Sequence, residues 1–365
     1  MRIRTITLKN FRNHESFSLD FEPGSTTIIG RNGRGKTNII EAINYFAVLG
    51  SHRVSQDAPL LQMGFSSATI SAVVHKQDRS ATVSIDINDQ KTNRVTLNGT
   101  VLAKPRDILG LMHTVVFAPE DLQLVSGDPG ARRKYLDDFA TQRGPRVSGI
   151  RQDFDKVLRQ RNALLKSAGR RPLNQTARDT LDVWDEQYVE HAAALVHARL
   201  IALDELSPWI TQHGEMISAS TEPLHVSYHT KWLTDGTREL SDIGEQLRYA
   251  LHARLRDELE RGVTLVGPHR DDLDIRLSEI PAKGYASHGQ SWSVALALRL
   301  ATFNVLRQFE DDPILLLDDV FAELDVSRRN RLVSAVTGVE QTIITAAVAE
   351  DVPESLLDRT FVLED

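Results

Sequence analysis

Residues 30–37 read "GRNGRGKT", set between the apolar run "TTII" and the helix-patterned "NIIEAINYF". The spacing matches G-x-x-x-x-G-K-[ST], and a strand before with a helix after is the context in which that pattern cradles phosphate. Gly30, Gly33 and Gly35 let the backbone curl so that successive N–H groups converge on one point. A helix starting near Lys36 adds the positive end of its dipole. Lys36 is expected to reach the β- and γ-phosphates of a nucleotide, and the Thr37 hydroxyl to coordinate Mg²⁺. Arg31, Asn32, Arg34 and Asn38 complete the expected loop.

Outward from the loop, "RIRTITL" and "SFSLDF" alternate as strands, and Pro23-Gly24 marks a turn before the short strand at 26–29. Ile39, Ile40, Ile43, Phe46 and Ala47 then fall at helical spacing. "ATISAVV", "ATVSIDI" and "RVTLNG" read as a strand meander, with Asn98-Gly99 as its hairpin turn.

Residues 125–260 change character. Ile150, Phe154, Val157, Leu158 and Leu165 predict one long helix, and Leu181, Trp184, Tyr188, Ala192, Leu195 and Leu203 a second, with "GRRPLN" between them. The second helix is expected to run for about 28 residues, or ~42 Å. Strand-and-helix patterning resumes at "TLVG", continues with a helix over 291–309, and ends in "PILLLDD" and "QTIITAAV".

A phosphate loop needs a carboxylate at the end of a neighbouring buried strand to hold its metal. "ILLLDD" supplies it: four apolar residues suit a strand buried on both faces, with Asp318 and Asp319 at its C-terminal end. Asp318 is expected to hold Mg²⁺, and Asp319 to orient or deprotonate the attacking water. Upstream, Ser287, Gly289 and Gln290 open a helix, an arrangement that offers phosphate a hydroxyl and backbone donors. Taken alone, such an opening is an ordinary helix entry.

The whole chain has 365 residues, a net charge of −7 and no cysteine, which removes disulfides and Cys-ligated zinc or iron–sulfur centres. No secretory h-region opens it and no long apolar run interrupts it, so a cytoplasmic protein without a membrane partner is expected. The acidic total conceals a basic stretch: Arg146, Arg151, Lys156, Arg159, Arg161, Lys166 and Arg170 face only Asp153 and Asp155 as counter-charges. Such a run suits either a solvated face or phosphate-backbone binding. His269 in "GPHRDD" has no second histidine at ligand spacing, and Arg270 is expected to pair with Asp271 or Asp272.

In this order, "GRNGRGKT", "SHGQ" and "ILLLDD" resemble Walker A, the signature motif and Walker B of ABC-type ATPases, and "AELD", ending at Asp325, resembles the D-loop. "LKNFRNHESFSLDFEPGSTTIIGRNGRGKTN" resembles the heads of SMC and RecF proteins. "VVFAPEDLQLVSGDPGARRKYLD", "LRQRNALL", "TLVGPHRDDLDI" and "LLLDDVFAELD" narrow the resemblance to the RecF family.

The fold this implies is α/β: an ABC-type P-loop ATPase head with an inserted α-helical arm (lid) domain. Its expected parts are an N-terminal lobe at 1–124, the arm at 125–260 and a C-terminal lobe at 261–365.

The resemblance implies ATP and Mg²⁺ as ligands, Asp319 and Lys36 as catalytic residues, and Arg12 as a phosphate contact. Ser287, Gly289, Gln290 and Asp325 would complete the site of a second protomer in an ATP-dependent homodimer. It further implies DNA binding (single-stranded, gapped or duplex), with Arg146, Arg151, Arg159, Arg161 and Lys166 as contacts. The implied partners are RecR and RecO, acting for RecA in repair, replication restart and the SOS response. The alternative is an ABC-type ATPase subunit of a membrane transporter. Against the superfamily pattern, Ala286 and His288 replace the first Leu and Gly of the signature, and Asp319 replaces a Glu, so slow hydrolysis is expected. No glutamine stands in "MHTVVFAPED" and no switch histidine follows "QTIIT", where Thr345 stands instead.

Overall fold

The computed structural model describes residues 1–168, 175–217, 223–309 and 312–363. The chain opens with β1 (Arg2–Phe11), β2 (His14–Asp20), β3 (Gly24–Ile29) and α1 (Lys36–Val48), then β4 (Ser67–Lys76), β5 (Arg79–Asn88), β6 (Arg94–Leu97), β7 (Thr100–Val101) and β8 (Thr114–Phe117). Helices α2 (Gln123–Ser126), α3 (Pro129–Arg143), α4 (Arg146–Ala168) and α5 (Gln175–Ile217) follow, then β9 (Leu224–His229) and α6 (Leu240–Arg261). The last part holds β10 (Asp272–Leu277), β11 (Ile280–Pro281), α7 (His288–Arg307), β12 (Ile314–Asp318), α8 (Val326–Val336), β13 (Gln341–Ala346) and β14 (Arg359–Val362).

A parallel sheet in the order β14-β3-β13-β12-β8 joins the two ends of the chain. β12 is buried along its length and splits its side chains between two cores. Ile314 and Leu316 join Ile39, Ile40 and Ile43 of α1, while Leu315 and Leu317 join Leu296 and Leu300 of α7. Period-two alternation with both faces apolar is what a sheet sandwiched between helices requires. On the far side of α1 lies the antiparallel sheet β2-β1-β4-β5-β6-β7, whose Ile3, Ile6, Ile70 and Ile85 close the first core. Asn98 and Gly99 turn β6 into β7 with φ of 49° and 81°, the left-handed pair a two-residue hairpin needs.

The arm departs from expectation in length. α5 runs for 43 residues, roughly 65 Å at 1.5 Å per residue, and carries Pro208 inside it. Its first half packs Tyr188, Ala192 and Leu195 against α4 and α6, and its second half packs Leu203, Leu206 and Ile210 against the α7 core. That burial outweighs the hydrogen bond and ring clearance a helix loses at an internal proline, about 3 kcal/mol. α3 also sits in the α7 core, through Leu136, Phe139 and Ala140. The stretch "TLVG" at 264–267 forms no strand. "GRRPLN", with Arg170, lies outside the described residues.

Candidate nucleotide site

Three neighbouring parallel strands deliver the site. β3 ends at the glycine loop, β13 carries Thr345 near its end and β12 ends at Asp318; Asp318 is level with Thr345, and Thr345 with Ile28. The loop turns through left-handed glycines, Gly33 at φ 86° and Gly35 at φ 99°. Gly35 is also the N-cap of α1 and supplies no side-chain cap. Among the described residues the N–H groups of Gly33, Gly35, Lys36 and Thr37 have no backbone acceptor, which leaves a cluster of donors at a helix N-terminus. The turn between β1 and β2 sits on this loop. Asn13 Nδ2 donates to Gly33 O at 3.4 Å, His14 Nε2 lies 3.1 Å from Gly35 O, and Asn38 donates to Asn13 Oδ1 at 2.7 Å. A Cβ at Gly35 would collide with both Asn13 and His14.

Lys36 is buried, and its Nζ donates to Gly30 O at 2.8 Å and Asn32 Oδ1 at 3.4 Å, with Asp319 Oδ2 at 3.9 Å. Across the loop, Thr37 Oγ1 donates to Asp318 Oδ1 at 3.0 Å. Thr345 Oγ1 donates to the same oxygen at 2.6 Å and accepts from the Asp319 N–H at 3.0 Å. Asp318 is 2% exposed, and burial lifts its pKa to about 6 against the pull of the two threonine hydroxyls. Asp319 takes a left-handed backbone at φ 49°, and burial raises its pKa against the opposing attraction of Lys36. A buried carboxylate and a hydroxyl converging beside a lysine and free N–H donors fit a divalent metal with a polyphosphate. Thr37 and Asp318 would hold a Mg²⁺ ion there, which would supply charge neutralisation for the phosphates.

The family described as RecF/RecN/SMC N terminal domain matches residues 2–360. A DNA replication and repair protein RecF of Streptomyces avermitilis is 45% identical over 372 aligned positions, covering 100% of this chain and 98% of that one. The chain belongs to the RecF family. Two solved structures of the recombination mediator protein RecF in the RecFOR pathway, its ATP and ATPrS forms, match at TM-scores of 0.89 and 0.88. Each is 29% identical, with 99% of this chain and 95% of theirs covered. An SMC head bound to the C-winged helix domain of ScpA matches at TM-score 0.53 and 16% identity, a likeness of fold. The ABC-type head with a long helical arm is therefore the RecF architecture, and the transporter alternative is set aside.

The geometry places two of the expected contact residues in ion pairs. Arg12, expected on phosphate, is engaged by a buried carboxylate: Nε and Nη2 donate to Glu41 at 2.8 and 2.7 Å, and Nη1 to Pro59 O at 2.9 Å. Arg161, expected on DNA, is 0% exposed. It pairs with Asp185 at 2.6 Å and Glu258 at 2.7 Å and donates to Thr264 Oγ1 at 2.8 Å, so it pins 264–267 between α4, α5 and α6. A desolvated cation needs such partners, and they leave nothing for a phosphate backbone.

Of the remaining arm cations, Arg146, Arg159 and Lys166 are exposed, while Arg151 stands 3.7 Å from Asp138. Arg270 does not pair with its neighbours. Asp272 holds Arg132 at 2.7 Å, and Asp271 accepts from Tyr228 and Trp232 at 2.8 and 3.0 Å. His269 lies between Tyr188 and Thr264 O.

Ser287 caps α7 in a capping box with Gln290: Oγ accepts from Gln290 N at 3.2 Å, and Ser287 N donates to Gln290 Oε1 at 2.9 Å. Asp325 caps α8 in turn. Sequence reading missed Asn13 and His14, which brace the loop, and Glu41, which holds Arg12. It also missed Arg53, which donates to Asn38 Oδ1 at 3.1 Å and pairs with Glu120 at 3.4 Å. No local pattern marks these residues, because each acts through a partner distant in sequence.

Proposed function

We propose that this RecF-family chain is an ATP-gated DNA clamp. Two protomers sandwich two ATP–Mg²⁺, and slow hydrolysis reopens them. The observation that carries the reading is the convergence of Lys36, Thr37, Asp318 and Asp319 at the end of one parallel sheet. In it, the N–H groups of Gly33, Gly35, Lys36 and Thr37 and the Lys36 ammonium hold phosphate, Thr37 and Asp318 hold the metal, and Asp319 positions the water. Ser287, Gly289, Gln290 and Asp325 complete the partner's site. The exposed apolar residues beside these motifs support a protein-facing surface: Tyr285 is 74% and Val326 72% exposed.

DNA binds through exposed arm cations. Lys156, Arg159 and Lys166 recur at helical spacing along one face of α4, and Arg146 extends it, so contacts fall on phosphates without reading sequence. The likeness to a recombination mediator of the RecFOR pathway and to a DNA replication and repair protein supports a role in DNA recombination and repair. Beyond that, our reading is that the chain acts in the cytoplasm with RecO and RecR, loading RecA at gaps for repair, replication restart and SOS induction. As parts, we keep an N-terminal lobe at 1–124, an arm within 125–260 and a C-terminal lobe at 261–365.

Light scattering of wild type and Lys36→Ala with ATP–Mg²⁺, with and without short gapped duplex, tests the reading. An ATP-dependent dimer, absent in the variant and strengthened by DNA at low salt, is expected. A wild-type monomer indifferent to both ligands overturns it.

A further inference from the structure

Arg328 lies in the first turn of α8 and bridges two motifs that are 36 residues apart in sequence when counted from Gly289 to Asp325. Its guanidinium pairs with the Asp325 carboxylate, and its Nε donates to Ser293 Oγ at 3.0 Å. Its backbone N–H donates to Asp325 Oδ1 at 2.9 Å, which caps α8. The fork lies across Gly289, where an added Cβ would stand 2.8 Å from Nη2 and 3.1 Å from Nη1.

Gly289 does not adopt a positive φ, so its backbone makes no demand for glycine. The space taken by Arg328 makes that demand. Nη2 has no acceptor among the described residues, while Nε and Nη1 are fixed by Ser293 and Asp325. The result is a planar cation held at the entrance of α7, beside the Ser287 hydroxyl and the first N–H groups of that helix.

A helix N-terminus offers about half a positive charge, and neutral donors add little against the charge of a terminal phosphate. A guanidinium supplies a full charge and a fork matched to phosphate oxygens. We propose that Arg328 is a γ-phosphate ligand acting in trans: in the ATP-bound dimer, its Nη2 donates to the γ-phosphate held by Lys36 of the partner protomer, while Asp325 and Ser293 keep the fork aimed. The assignment rests on the two-ATP sandwich proposed above. It gives Gly289 its reason and assigns the D-loop carboxylate a positioning role.

Four full-length proteins test it: wild type, Arg328→Ala, Arg328→Lys and Lys36→Ala. Arg328→Ala should bind a fluorescent ATP analogue as a monomer like wild type and keep its thermal midpoint. Its ATP-dependent dimerisation should weaken roughly 10²- to 10⁴-fold, the worth of two charge-assisted contacts, one at each ATP. Arg328→Lys, with the charge but no fork, should fall between. Mixing Arg328→Ala with Lys36→Ala should restore hydrolysis, because the mixed dimer holds one site with Lys36 from one protomer and Arg328 from the other.

Three results overturn the assignment: wild-type dimerisation by Arg328→Ala, a mixture that stays inactive, or lost monomer ATP binding or a lowered midpoint in Arg328→Ala. A wild-type protein that never dimerises with ATP overturns the sandwich and this assignment together. That failure is distinguishable, since it appears without any change at residue 328.

Discussion

The Thr37 hydroxyl donates to Oδ1 of Asp318 at 3.0 Å, joining residues 281 positions apart at the ends of α1's first turn and β12. The same oxygen accepts from Thr345 at 2.6 Å. A single buried carboxylate oxygen is thereby held by hydroxyls from two elements, each on a different strand or helix of one sheet layer. A carboxylate so held is positioned before any ligand arrives, which suits the metal role proposed for it.

The burial that holds Asp318 has a pH signature. Its folded pKa of about 6 lies above the usual carboxylate value, so the folded state binds this proton more tightly than the unfolded chain does. Stability contributed by the protonated form is present below about pH 4 and is lost as pH rises toward 6, on the order of 3 kcal/mol in total. Mg²⁺ requires the ionised form, so its apparent affinity should fall about tenfold per pH unit below 6. Thermal melts between pH 4 and 7.5 with and without ATP–Mg²⁺ check both trends. Mg²⁺ affinity that stays flat down to pH 5 would contradict them.

Asp319 should separate binding from chemistry. Its backbone is anchored by Thr345 through the N–H, so Asp319→Asn leaves the loop and the Asp318 site in place. ATP-dependent dimerisation is expected to persist, while hydrolysis falls about 10²- to 10⁴-fold with loss of the base. Single-turnover phosphate release measures this. Equal loss of binding and turnover would remove Asp319 from the chemistry.

Gly35 is constrained twice, by φ 99° and by Asn13 and His14 packed where a Cβ would stand. Gly35→Ala is expected to displace the β1–β2 turn and disorder the donor cluster, abolishing nucleotide binding. Gly33, also left-handed but with open space around it, should tolerate alanine better, at a cost of about 1–2 kcal/mol. Nucleotide titrations of the two variants side by side decide the matter.

Two arginines two positions apart on α4 should behave oppositely. Arg161→Ala strands Asp185 and Glu258 in the arm core and should cost about 3–5 kcal/mol of stability. Arg159→Ala should leave the midpoint unchanged and reduce the salt slope of DNA affinity by about 1. Thermal melts paired with DNA titrations over a salt series test the contrast. A normal midpoint for Arg161→Ala would refute its structural role.

The chain alone determined the glycine loop, the buried "ILLLDD" strand with its terminal carboxylates, the Ser287 helix entry and the presence of an arm. Each is a contiguous signal, because a phosphate cradle, a two-faced strand and a helix cap are made by residues within one turn or one strand of each other. Tertiary structure decided what contiguous patterns do not encode. Arg159 and Arg161 read alike in sequence, yet about 200° of helix rotation turns one toward solvent and the other onto Asp185 and Glu258. Pro208 removes a helix hydrogen bond, but packing of Leu206 and Ile210 against the α7 core carries α5 through it. Arg12 meets Glu41, Thr345 meets Asp318, and Arg328 covers Gly289 only once separate elements pack together. Apolar periodicity reports which face is buried, whereas the partner of a buried or clamped charge is chosen by elements far away in the chain.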